Sequence, residues 1–158
     1  MRKTVRRNKI PGVSSLLLFF IAVSMAGVRL FHVSCWLGIF YIAAACIGAW
    51  RIIHSFCAGC PCKTECAHVL PGKAAMRYRR KPRPYTGLEM AELSIAMTLI
   101  MGLPQIWLWQ QFYLFLFFWT VCLTAVALVI GNICRSCSNE YCPVKRMVMI
   151  KGLSGELQ

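Results

Sequence analysis

Residues 112–131 read FYLFLFFWTVCLTAVALVIG, an apolar run without a single charge. About 20 such residues wound as an α-helix cross a hydrocarbon core of about 30 Å. In lipid the backbone must satisfy its own N–H and C=O groups, which a helix does within one segment. The run therefore predicts a membrane span, and the rest of the chain is read outward from it.

Three more runs of this kind precede it. Residues 13–28 follow a basic leader (Arg2, Lys3, Arg6, Arg7, Lys9) and Pro11-Gly12. Residues 30–50 carry no formal charge between Arg29 and Arg51, and residues 88–103 carry only Glu89 and Glu92, both in the first turns. The composition agrees: of 158 residues, 58% are hydrophobic and 15% charged, and the mean hydropathy is +0.59. Soluble domains run at about 45–50% apolar and about 25% charged. A globule this small leaves about 30% of its unfolded-chain surface exposed, so it could not hide so much apolar area from water. Disorder, a collagen-like fibre and a small secreted disulfide domain are excluded.

The predicted fold class is an all-α membrane protein with four transmembrane helices as two hairpins, each followed by a cytoplasmic Cys-rich loop. The expected divisions are a basic leader (1–12), hairpin one (13–56), a Cys-rich basic loop (57–86), hairpin two (87–133) and a Cys-rich tail (134–158). Tight turns are expected near residues 29–34 and 104–111. In the second turn, Trp107 and Trp109 beside Gln110 and Gln111 suit a membrane–water interface. The small residues Ser24-Met25-Ala26 after an apolar run also fit a cleaved leader. Retention is expected instead, because Arg29 and the next span follow at once.

Eighteen Lys and Arg oppose five acids, all of them Glu, and there is no Asp. The cations gather in the leader, the linker 52–86 and the tail. Four spans put these three pieces on one side, which the positive-inside rule assigns to the cytoplasm of the inner membrane. Lys73, Arg77, Arg79, Arg80, Lys81 and Arg83 beside a bilayer suit anionic lipid headgroups, at about 1 kcal/mol per cation. No nucleic-acid recognition module accompanies them, and the prolines nearby oppose a basic helix. A Gly-rich phosphate loop, a Ser/His/Asp set and any Asp-based chemistry are also missing, so an electron carrier or accessory subunit is expected rather than a stand-alone enzyme.

The ten cysteines sort by location. Cys35, Cys46 and Cys122 fall within spans, where a thiol serves as a small hydrophobe. The other seven form two motifs: Cys57-Ala-Gly-Cys60-Pro-Cys62-Lys-Thr-Glu-Cys66, and Cys134-Arg-Ser-Cys137-Ser-Asn-Glu-Tyr-Cys142-Pro143. Cys57 and Cys134 are 77 residues apart, as are Cys60 and Cys137; Cys66 and Cys142 match to within one residue. The chain thus reads as two copies of hairpin-then-Cys-loop. The cytoplasm is reducing, so clustered cysteines there point to metal or redox chemistry rather than structural disulfides.

A Cys-x-x-Cys turn lets two thiolates converge on one centre while further ligands come from elsewhere. The candidate cofactor-binding residues are therefore Cys57, Cys60, Cys62, Cys66, Cys134, Cys137 and Cys142, with all but Cys62 as metal ligands and His68 as an additional candidate. For zinc, Cys57, Cys60, Cys66 and His68 make one four-ligand set, leaving three tail cysteines in need of a partner. For iron–sulfur, seven thiolates exceed one tetrahedral site, and the Cys142-Pro143 ending is similar to the Cys-Pro that closes a bacterial ferredoxin ligand run. Two [4Fe-4S] clusters require eight ligands, one more than the seven loop cysteines supply; His68, a non-protein ligand or a single cluster resolves the count. Iron–sulfur, as [4Fe-4S], is the expected cofactor, zinc the alternative, and redox-active thiols a third reading.

Glu89 and Glu92 are one turn apart near a helix start. Intramembrane carboxylates suggest proton relay or a quinone site, but negative charge at a helix N-terminus in the headgroup zone is the expected role. His32 and His54 are expected to be interfacial.

Four spans with a Cys motif ending in Cys-Pro after each helical pair resemble the membrane part of the ferredoxin-type quinol dehydrogenase proteins that accompany periplasmic nitrate reductase. The maturation proteins of nitrous-oxide reductase have a similar core. Those families place a cytoplasmic Cys-x-x-x-Cys-Pro after each helical pair; here Cys57 to Cys60-Pro61 has two intervening residues, and Cys137 to Cys142-Pro143 has four. The resemblance covers the layout of roughly the whole chain, and the soluble ferredoxin domain that family members often append is not expected. It implies that Cys57, Cys60, Cys137 and Cys142 carry the family role, with electrons moving between a quinol pool and a cytoplasmic iron–sulfur or thiol group; a redox protein partner is expected beside the quinol pool.

Overall fold

The computed structural model describes residues 9–63, 66–135, 137 and 139–142. The leader cations Arg2, Lys3, Arg6 and Arg7, together with Pro143 and the rest of the tail, lie outside the described residues.

The described chain is all-helical. Helix α1 (Ile10–Val33) starts with Pro11 in its first turn, where a missing N–H costs nothing. A single extended residue, Ser34, separates it from α2 (Cys35–Ile52), so the turn expected near residues 29–34 is tighter than its sequence suggests. A π-helical turn, Ile53–Cys57, continues α2 to the first cysteine motif. After a short helix α3 (Val69–Met76), α4 (Gly87–Gly102) rises, α5 (Gln105–Leu108) turns the chain, and α6 (Phe112–Leu128) returns. A second π-helical turn, Val129–Cys134, ends on the second motif's first cysteine. With their extensions, four segments are long and apolar enough to cross a membrane: Ile10–Val33, Cys35–Cys57, Gly87–Leu108 and Phe112–Cys134.

Apolar attraction between helices is weak in lipid, because the tails are as apolar as leucine, so close packing of small residues does most of the joining. The buried positions fit this. In α1 they are Gly12, Ser15, Ala22, Ala26, Gly27 and Leu30; in α2 they are Gly38, Tyr41, Ala45 and Gly48. A Cβ on Gly48 would lie 2.9 Å from Ile100 Cδ1 and 3.7 Å from Ala96 Cβ, so glycine here lets α2 and α4 approach. Farther along this contact the buried Tyr41 hydroxyl donates to Ile100 O at 3.0 Å. The main core joins Ala22, Ala26 and Leu30 of α1 to Tyr41, Leu108 and the α6 residues Phe118, Val121 and Cys122. The large apolar side chains Leu17, Phe20, Trp36, Phe40, Phe117 and Leu123 face outward, as lipid-facing residues do.

Packing runs in the order α6–α1–α2–α4, with α5 touching α1, α4 and α6. Consecutive spans α4 and α6 share no extended packing among the described residues. The second helical pair is therefore splayed across the first, each member on a different partner. Trp119 Nε1 donates to Gln105 Oε1 at 3.1 Å, tying α6 to the connecting turn. Trp109 is 70% exposed at this end, whereas Trp107 packs against the core.

Candidate metal centre

Both cysteine motifs are built alike. Each first cysteine ends a π-helical turn, Cys57 after α2 and Cys134 after α6. Widened turns of this kind occur frequently at functional sites. Each chain then reverses on one hydrogen bond, Cys60 N–H to Cys57 O at 3.1 Å and Cys137 N–H to Cys134 O at 3.3 Å. The 77-residue repeat thus extends from spacing into local backbone geometry.

Three contacts bring the loop, the tail and the start of α1 to one end of the molecule. The Nδ1 of His68 meets Gly12 O at 3.1 Å. The carboxamide of Asn139 donates to Cys60 Sγ at 3.5 Å and to the Tyr85 hydroxyl at 3.1 Å. The π-helical turn after α6 also packs on α1. Asn139 is only 2% exposed, and its Oδ1 accepts from Tyr141 N–H at 3.0 Å. Tyr85 is held from behind by Phe56, stacked at 4.4 Å between ring centres.

Cys60 is the meeting point. Besides the Asn139 contact, the Tyr85 hydroxyl, the Cys62 backbone N–H and the tail thiols of Cys137 and Cys142 all influence its thiol. Cys57 in turn interacts with Cys66 and Cys60, and Cys134 with Cys142 and Cys137. Burial pushes the Cys60 thiol above its ordinary value; the donors from Cys62 and Tyr85 act against that, and the two tail thiols add to it. The same burial raises the Tyr85 phenol. Among the described residues, no three or more His, Cys, Asp or Glu side chains stand close enough to hold one metal ion. All ten cysteines are thiols. The donor set is nonetheless the soft, sulfur-rich kind that zinc and iron–sulfur centres use, and the seven loop and tail thiols are half-buried rather than dispersed on the surface.

His68 follows Cys66 by two residues. Burial holds its pKa below the ordinary value, partly offset by the bond to Gly12 O. A neutral imidazole that donates Nδ1–H to a carbonyl presents Nε2 as its basic nitrogen, an arrangement common for metal-bound histidines. Lys63 closes the loop from inside, its Nζ donating to Arg80 O at 3.0 Å, Ala58 O at 3.3 Å and Tyr78 O at 3.5 Å.

The two carboxylates are engaged structurally. Glu89 completes a capping box with Thr86 and pairs with Arg83 at 2.8 Å and Arg80 at 3.1 Å. Glu92 pairs with Arg51 and accepts from Ser55. Two members of the basic run, Arg80 and Arg83, thus serve to anchor α4. His54 lies edge-on to Tyr78 at 5.0 Å, next to Trp50 Nε1, which donates to the Tyr78 hydroxyl at 2.9 Å.

Asn139, Tyr85 and both π-helical turns were not singled out by sequence. Asn139 sits inside a cysteine motif, which is a signal of sorts, but its contact with Cys60 spans 79 residues of chain. Compared with family models, curated proteins and solved structures, the chain has no match in any of the three.

Proposed function

We propose that this protein is a small membrane-embedded metal–thiolate protein that carries one or two iron–sulfur clusters and transfers electrons at the membrane surface. The observation that supports it most is Cys60, which lies at the junction of the two cysteine motifs, where the tail's Asn139 carboxamide donates to its sulfur. Such donors stabilise a thiolate, and a metal-bound cysteine is a thiolate. The ligand set comprises Cys57, Cys60, Cys66, Cys134, Cys137 and Cys142, with Cys62 in the same loop. Bound clusters would supply one-electron chemistry, with potentials set by charge, exposure and hydrogen bonds to sulfur.

The protein is placed in the cytoplasmic membrane with both helical pairs ending in their Cys motifs on the cytoplasmic side. Lys9, Lys63, Lys73, Arg77, Arg79, Lys81 and Arg135 support that orientation, since Arg29 is the one Lys or Arg near the opposite turn among the described residues. Anionic headgroups are its lipid partners, and a quinol pool or a redox protein its electron partner; nucleic acid is not. One observation favours a second reading, a zinc-pinned assembly module: His68 is arranged to offer Nε2 beside Cys66.

Cys57→Ser and Cys137→Ser are each expected to lower the metal bound by anaerobically purified protein to half or less. Metal content unchanged in both variants contradicts the ligand assignment.

A further inference from the structure

Arg29 stands apart from the other Lys and Arg of the described chain. It lies one turn before the end of α1, whose Gly12 meets the cysteine loop at the other end. Seventeen residues separate the two, about 25 Å along the helix. The ion pairs among the described residues use Arg51, Arg80 and Arg83, not Arg29. Its Nε is closed off with no hydrogen-bond partner, although the residue as a whole is only half-buried. No described carboxylate is placed to help. Glu89 and Glu92 lie at the start of α4, where Glu92 meets Arg51 and Ser55 just before the first cysteine motif, and Glu140 lies inside the tail motif. A guanidinium stays charged in a protein, so the counter-charge for Arg29 comes from outside the described chain.

The surrounding side chains identify the anion. Trp36 in the first turn of α2, Trp109 just after α5 and Tyr113 in the first turn of α6 are all largely exposed at this end. Amphipathic rings of this kind collect at headgroup level, which sets Arg29 at the depth of the lipid phosphates. The planar fork of arginine matches a phosphate, with two parallel N–H donors for two oxygens. Resting on the membrane-embedded reading above, we propose that Arg29 binds the phosphate of a phospholipid headgroup in the leaflet opposite the cysteine motifs. The site takes an anionic lipid such as phosphatidylglycerol in preference to phosphatidylcholine, whose choline cation repels the guanidinium. It is separate from the basic run 73–83, which lies at the other end of the spans.

The test uses the full chain in detergent micelles with a phosphatidylglycerol photoprobe that carries a diazirine on its headgroup. Cross-linked peptides are mapped by mass spectrometry. The wild-type chain is expected to be labelled at residues 28–36 as well as at 73–83. Arg29→Gln is expected to lower labelling at 28–36 about tenfold, the loss of one charge-assisted contact, and to leave 73–83 as in the wild type. Unchanged labelling at 28–36 in Arg29→Gln overturns the site and leaves the membrane reading standing. No label in either region of the wild-type chain removes the lipid association altogether, and the site with it. Label at 28–36 that is displaced by inorganic phosphate at constant ionic strength assigns the site to free phosphate and overturns the lipid. Should Arg29→Gln fail to fold, competition on the wild-type chain decides. Unlabelled phosphatidylglycerol is expected to displace the probe from 28–36 at lower concentration than phosphatidylcholine does, and equal displacement overturns the proposal.

Discussion

Gly12→Val is expected to destabilise the protein by about 3 kcal/mol, the sum of overpacking at about 1–3 kcal/mol and one hydrogen bond at about 1 kcal/mol. A Cβ at residue 12 would run into the Ala67 carbonyl and come within 3.0 Å of His68 N. Neither is the end of a flexible side chain, so the loop backbone must move. Ala67 is almost fully buried at this contact, and the His68–Gly12 bond at 3.1 Å is lost with it. The consequence reaches the cysteines, because Cys66 directly precedes the displaced segment. Thermal unfolding in detergent checks the stability, and Gly131→Ala, whose Cβ would meet nothing within 4 Å, serves as the neutral comparison. Equal stability for the two variants contradicts the docking of α1 against the loop.

Glu89→Ala is expected to cost about 2 kcal/mol. About 1 kcal/mol comes from the capping box, in which Thr86 N–H donates to Glu89 Oε2 at 3.0 Å. The remainder comes from the ion pairs to Arg80 and Arg83. The Glu89 side chain is only 10% exposed, but its partners are 37% and 50% exposed, so solvent screening keeps each pair below about 1 kcal/mol. Glu89→Gln retains an acceptor for the Thr86 N–H while removing the charge, and is expected to lose about half as much. Unfolding of the two variants at low and high salt checks the division. The Glu89→Ala loss is expected to shrink with salt, and a loss of the same size at both salt concentrations contradicts the ion-pair share.

The spans were legible because their signal is composition over twenty residues, which packing does not alter. The Cys motifs were legible for a similar reason, since their spacing sets a local turn, and both turns form. What was hidden depends on distant contacts. The 57–86 segment reads as loop, yet Val69–Met76 is helical, because Pro71 occupies the first turn, where proline is tolerated. The widened turns before Cys57 and Cys134 have no residue signature, as a π-helical turn differs from an α-helical one only in its bonding. Two antiparallel neighbours were the natural expectation for residues 87–133, but α4 and α6 pack on α2 and α1 respectively. The small residues that direct this, Gly48 and Ala96 on one side and Ala22, Ala26 and Ala125 on the other, become informative only once their partners are known. Glu89 and Glu92 were placed correctly at a helix start, but their partners lie up to 41 residues away. Asn139 is the clearest case: an ordinary loop residue by sequence, and the link between the two motifs in the fold.

The most direct measurement is metal and sulfide analysis of the intact chain purified without oxygen, combined with its visible spectrum before and after chemical reduction. The expected result is iron with inorganic sulfide and a broad charge-transfer absorption that bleaches on reduction. Colourless protein, whether it carries zinc in stoichiometric amount or no metal at all, contradicts the electron-transfer account.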